Sequence, residues 1–68
     1  MPPTLKLGDL SASVKSLQAL LSLHAPVVVD GDFGTDTNEA VINFQKIMNL
    51  AVDGIVGPQT WTALCTFG

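Results

Sequence analysis

Val29-Asp30-Gly31-Asp32-Phe33-Gly34 returns further along the same chain as Val52-Asp53-Gly54-Ile55-Val56-Gly57. Glycine takes a positive φ at no steric cost, and an aspartate carboxylate bonds its own downstream backbone. Each copy therefore predicts a tight turn. The likeness extends outward on both sides. Upstream, Val14-x-x-Leu17-Gln18-x-x-Leu21 recurs as Val41-x-x-Phe44-Gln45-x-x-Met48. Downstream, Thr37-x-x-Ala40-Val41 recurs as Thr60-x-x-Ala63-Leu64. The repeating unit is helix, Asp-Gly turn, next helix, run about one and a half times. The first helix-to-turn connection, His24 to Val28, is the longer one.

Apolar spacing makes the flanking segments helical. Leu10, Val14, Leu17, Leu20 and Leu21 recur at intervals of three and four, a stripe at helical period. Ser11 or Ser13 is placed to cap this first helix, and Pro26 lies beyond its end. In the second helix the stripe is Ala40, Val41, Phe44, Ile47 and Met48. Thr35, Asp36 and Glu39 crowd its first turn, where the positive helix end favours acids. Asn49 suits the left-handed position after its last turn. The third helix is short. Pro58 after Gly57 suits a first helical position, and Trp61, Leu64 and Cys65 share one face. Val27-Val28-Val29 is extended, yet one strand makes no sheet. The prediction is an all-α three-helix bundle with at most a bridge between the two turns. Its expected core is Leu7, Val14, Leu17, Leu21, Phe33, Val41, Phe44, Met48, Leu50, Val56, Trp61 and Leu64.

Composition narrows the function classes. The 68 residues suit one domain, with 47% hydrophobic and 13% charged residues. A chain below roughly 70–80 residues gains only about 3–5 kcal/mol from its core. The lone Cys65 excludes an intrachain disulfide and the cysteine pairs of a structural zinc site. A net charge of −3 and no basic cluster argue against nucleic acid. No apolar run reaches the ~20 residues of a membrane span. Met1-Pro2-Pro3-Thr4 shows no signal-peptide pattern.

The ordered set of motifs resembles the peptidoglycan-binding domain of cell-wall hydrolases and phage endolysins. The residues that carry the resemblance run from Leu7-Gly8 through Leu17-Gln18, Asp30-Gly31-Asp32-Phe33-Gly34, Thr37, Ala40-Val41 and Phe44-Gln45 to Asp53-Gly54-Ile55-Val56-Gly57-Pro58-Gln59-Thr60-Trp61 and Leu64. It covers the chain from about Leu5 to Leu64, with residues 1–6 expected as an extension and 7–66 as the domain. The chain departs from the family pattern at Ser11 and at His24-Ala25, where the family often has glycine. It also lacks the frequent aromatic between Leu23 and Asp30. The resemblance implies a three-helix bundle from this pseudo-repeat and a non-catalytic module. It implies peptidoglycan as partner, beside a fused or associated catalytic domain, and the cell wall or periplasm as place of action. Endolysins commonly wait in the host cytoplasm until lysis, which fits the missing signal pattern, with Met1 as the start and Gly68 before a catalytic domain. A monomer is expected, without cofactor, nucleic acid or membrane. The alternative is a protein-interaction or pro-domain-like module for a peptidase, although Cys65 stands in no blocking segment of the propeptide type.

Several residues invite catalytic or metal readings. Asp30, Asp32 and Asp36 match positions one, three and seven of a calcium loop. Gly34, Thr35 and Val41 then stand where the loop needs an oxygen ligand, a glycine and a glutamate. Turn and cap chemistry accounts for the acids instead. His24 and Cys65 could form a nucleophile–base pair only in contact with each other and with an orienting group. The single histidine cannot supply a zinc-peptidase set. Glycosidases need two carboxylates across a cleft, and Glu39, the only glutamate, belongs to a helix start. Gln18 and Gln45 either tie down a loop backbone or line a groove. Trp61 either packs in the core or offers a face to a sugar. Turn proximity and polarity nominate Asp32, Thr35, Asp36, Gln45, Gln59 and Trp61 as ligand contacts, with no catalytic residue and no metal ligand.

Overall fold

The computed structural model describes residues 3–67; Met1 and Gly68 lie outside the described residues. Three helices follow in order: α1 Ala12–Leu21, α2 Thr35–Ile47 and α3 Pro58–Phe67. The three-helix, all-α expectation holds. Two isolated antiparallel bridges accompany the helices, Leu5 with Val56 and Leu10 with Asp32. Neither joins the two turns to each other. Each instead joins one turn to the segment before α1, whose extended backbone offers the free N–H and C=O groups.

Local chemistry sets the helix ends. Ser11, in an extended conformation, caps α1, its hydroxyl accepting from the Val14 N–H at 3.3 Å. Asn49 has φ 57°. The Leu50 N–H donates to the Gln45 carbonyl at 2.8 Å and the Asn49 N–H to the Lys46 carbonyl at 3.2 Å. That pair of bonds is a Schellman motif, which satisfies carbonyls the helix end leaves open. Pro58 opens α3 as the sequence predicts. Gly31 and Gly54 are turn equivalents with φ 80° and 72°. Those values are costly for residues with a Cβ.

The core joins Leu5, Val14, Leu17, Leu21, Phe33, Val41, Phe44, Val56, Trp61 and Leu64, with Ala40 and Ala63. Phe33 and Val56 are fully buried. These equivalent residues reach into the bundle from their turns. Met48 and Leu50 are half-buried against this core. Leu7, expected in the core, is 54% exposed, and Leu5 takes the buried place. The cause is a turn over Lys6–Asp9, closed by the Asp9 N–H to the Lys6 carbonyl and by the Lys6 N–H to the Asp9 carboxylate. Leu7 rides on its tip. Leu10 precedes the helix it was expected to join and is exposed. Ile47 and Cys65 are also exposed. Each lies past the edge of its helix's buried stripe, Thr37-Ala40-Val41-Phe44 in α2 and Thr60-Trp61-Leu64 in α3.

Candidate functional site

The two buried glutamines build the site. Gln18 Nε2 donates to Asp30 Oδ1 at 2.9 Å, and to the Asp32 carbonyl and Thr37 Oγ1 at 3.0 Å each. Its Oε1 accepts from the N–H groups of Asp30 and Gly31 at 3.0 and 2.9 Å. Gln45 repeats the pattern one unit later. Its Nε2 donates to Asp53 Oδ1, the Ile55 carbonyl and Thr60 Oγ1 at 3.1, 3.0 and 3.2 Å. Its Oε1 accepts from Asp53 and Gly54 N–H at 3.2 and 3.0 Å. Both aspartates also accept from the backbone N–H two residues on, at 2.9 Å each. One amide thus fastens a whole turn to the helix before it and to the first turn of the helix after it. Buried polar groups must be paired, and no buried side-chain polar atom among the described residues lacks a partner. Of the two roles open to these glutamines, tying down the loop is the one the structure displays.

The Asp30 carboxyl lies below the ordinary aspartate value of 3.8. The backbone N–H of Asp32 is the main cause, and the Gln18 amide adds to it. Both donate to the ionised form and so favour it.

An open cleft lies over each stapled turn. The first, of about 240 Å³, is lined by Val28, Asp30, Asp32, Gly34, Thr35, Asp36 and Thr37. The second, of about 110 Å³, is lined by Ala51, Asp53, Ile55, Gly57, Pro58, Gln59 and Thr60, with Gln45 behind them. The two sets correspond one for one at constant sequence spacing, Val28 with Ala51 through Thr37 with Thr60. The members that hold the staple are the same in both: Asp30 and Asp53, Thr37 and Thr60. The members that face solvent differ. Asp32, Thr35 and Asp36 in the first cleft stand against Ile55, Pro58 and Gln59 in the second. A further hollow of about 230 Å³ lies beside the first, lined by Ala25, Pro26, Asp36, Glu39, Ala40 and Asn43.

The six nominated residues therefore fall in three places. Asp32, Thr35 and Asp36 meet in the first cleft, and Gln59 borders the second. Gln45 is 1% exposed, its amide spent on the staple. Trp61 is 5% exposed and donates its Nε1–H to the Pro3 carbonyl at 2.8 Å. Both its faces belong to the core, and it lines neither cleft. Asp30 and Asp53 were not nominated, although their place in the doubled motif marks them as cleft residues. His24 lies past the end of α1 with its ring tilted against Phe44, centroids 5.1 Å apart. Among the described residues no group of three or more His, Cys, Asp or Glu could hold a metal. No described helix is long and apolar enough to cross a membrane.

The doubled Gln-staple and its two clefts lie within a stretch that a family model matches. The model of the peptidoglycan binding domain family matches residues 11–64, from the cap of α1 to the last core leucine. The chain belongs to the peptidoglycan-binding domain family. This family is a non-catalytic module type, and its place of action is the cell wall or periplasm. An uncharacterized protein of Kitasatospora aureofaciens is 43% identical over 65 residues, which cover 91% of this chain and 55% of that protein. The zinc D-Ala-D-Ala carboxypeptidase of Streptomyces albus G is 37% identical over 65 residues, 90% of this chain and 26% of the relative. Among solved structures, the Burkholderia AP3 phage endolysin superposes with a TM-score of 0.87 at 43% identity, over 91% of this chain and 24% of its own. The SleB N-terminal domain superposes with a TM-score of 0.92 at 32% identity, over 98% and 94%. The chain thus spans about half or less of the length of these two curated relatives. It resembles the binding modules of endolysins and cell-wall hydrolases.

Proposed function

We propose that this peptidoglycan-binding domain anchors a peptidoglycan hydrolase of the phage endolysin kind to the wall, acting as a monomer. The observation that carries this reading is the family match over a chain that bears two equivalent open clefts. Asp32, Thr35, Asp36 and Gln59 are the contacts, accepting from and donating to the amides, amines and hydroxyls of the polymer. Gln45 and Trp61 serve the site from within, the first by holding the second turn and the second by fixing α3 to the N-terminal segment. Before lysis the protein waits in the host cytoplasm and meets peptidoglycan once the membrane is breached. Affinity for one repeating unit is weak. Rebinding along a polymer raises residence without any new contact.

Co-sedimentation with washed, outer-membrane-free sacculi tests this reading, beside an inert protein of similar size and charge. The expected result is specific pelleting with no release of soluble muropeptides. A folded, helical chain that stays in the supernatant would overturn it and point to a protein partner, such as a peptidase.

A further inference from the structure

Gly34 and Gly57 occupy equivalent positions on the floors of the two clefts. Glycine is usually explained by a positive φ or by close packing. Neither applies here. Gly34 has φ −94° and ψ −167°, an extended conformation open to any residue. Gly57 is not among the glycines with positive φ. A Cβ on Gly34 would meet only Asp32 Oδ1 at 3.9 Å, and a Cβ on Gly57 would meet nothing within 4 Å. Helix capping does not ask for glycine either. Gly34 is the N-cap of α2 and makes no side-chain capping bond, and Gly57 directly precedes α3. Ser, Asp or Asn would cap slightly better than glycine. In both copies the chain forgoes that gain, and what it keeps is the empty space above the backbone.

We infer that the clefts over Gly34 and Gly57 are two copies of one ligand pocket, held open by these glycines, and that a single wall strand occupies both. The inference rests on the wall-binding reading above. The molecule measures 26 × 25 × 20 Å, which bounds the distance a strand must span between the clefts. Their exposed residues assign different parts of the strand to each. Asp32, Thr35 and Asp36 present acceptors to groups rich in hydrogen-bond donors, amines or hydroxyls. Ile55, Pro58 and Gln59 suit a neutral amide with an apolar substituent. Non-identical pockets also give the bound strand a direction.

The test uses Gly34→Asn, Gly57→Asn and the double variant. Asparagine is a good cap, so each variant should unfold at the same temperature as the parent chain or slightly higher. Each single variant should lose about a hundredfold in affinity for sacculi, the avidity of one linked site, and the double should not pellet. In NMR titrations, a soluble single-unit muropeptide should shift the first cleft's amides in the Gly57→Asn chain and the second's in the Gly34→Asn chain. Parent-like pelleting by both single variants, with the parent itself bound, would overturn this inference and leave the wall-binding reading standing. Loss from one variant alone would overturn the two-pocket arrangement. A parent chain that fails to pellet would overturn the wall-binding reading first.

Discussion

At the scale of single residues, the staple glutamines concentrate more bonding than any other side chains described. Replacing Gln45 with alanine removes its five contacts and strands the buried Gly54 N–H. An unpaired buried group costs about 1–3 kcal/mol, against about 3–5 kcal/mol for a whole core of this size. Gln45→Ala should therefore lose a large share of its stability, read as a lowered urea midpoint; a near-parental midpoint would show that water replaces the amide. Asp30 adds a pH dependence. Its folded pKa lies below its unfolded one, so its stabilisation is complete above the ordinary aspartate range. It disappears as pH falls through the folded value. From about pH 5 downward the parent chain should lose stability faster than Asp30→Asn, whose neutral amide oxygen still accepts. Parallel urea midpoints over that range would contradict the assignment.

At the scale of elements, legibility depends on how strictly physics ties a residue type to a position. Pro58 at a helix start, Asn49 at φ 57° and a serine at the α1 cap follow from rules with few alternatives. Ser11→Ala should cost about 1 kcal/mol in chemical denaturation, and an unchanged midpoint would show that the Ser11 hydroxyl does not stabilise α1. The doubled motif makes the turns and the paired glutamines legible in the sequence itself. The segment before α1 is not legible in the same way. It has neither helical period nor strand partners of its own, so nothing local decides whether Leu5 or Leu7 faces inward. The bridge from Leu5 to Val56 decides it, and that pairing spans most of the chain. Ile47 and Cys65 show a related limit. A three-or-four spacing admits residues at a stripe's edge, and only the position of the neighbouring helix settles which are covered. Of the six residues that polarity and turn proximity nominate, Asp32, Thr35, Asp36 and Gln59 lie at the two clefts. The same criterion sweeps in Gln45 and Trp61, because chemistry alone does not reveal that a polar group is already engaged.

At the scale of the whole molecule, the N-terminal segment acts as a strap across both units. It pairs with the second turn through Leu5 and with the first through Leu10 and the Gly8 N–H to the Phe33 carbonyl. A chain beginning at Leu7 lacks a buried leucine and the acceptor of the Trp61 indole. Deleting a core leucine side chain costs about 2–5 kcal/mol, comparable to the total for so small a core. Such a chain should show little cooperative thermal unfolding by circular dichroism, whereas a parental transition would place the domain boundary at Leu7. The strap also fixes where the chain enters the bundle. Because the Trp61 indole holds the Pro3 carbonyl, the chain enters the bundle beside the helix by which it leaves. A domain joined ahead of Pro3 would be held near the start of α3, and one joined behind Phe67 near its end. Both ways into and out of the module thus run along one helix, so a second domain could be joined at either without crossing the bundle.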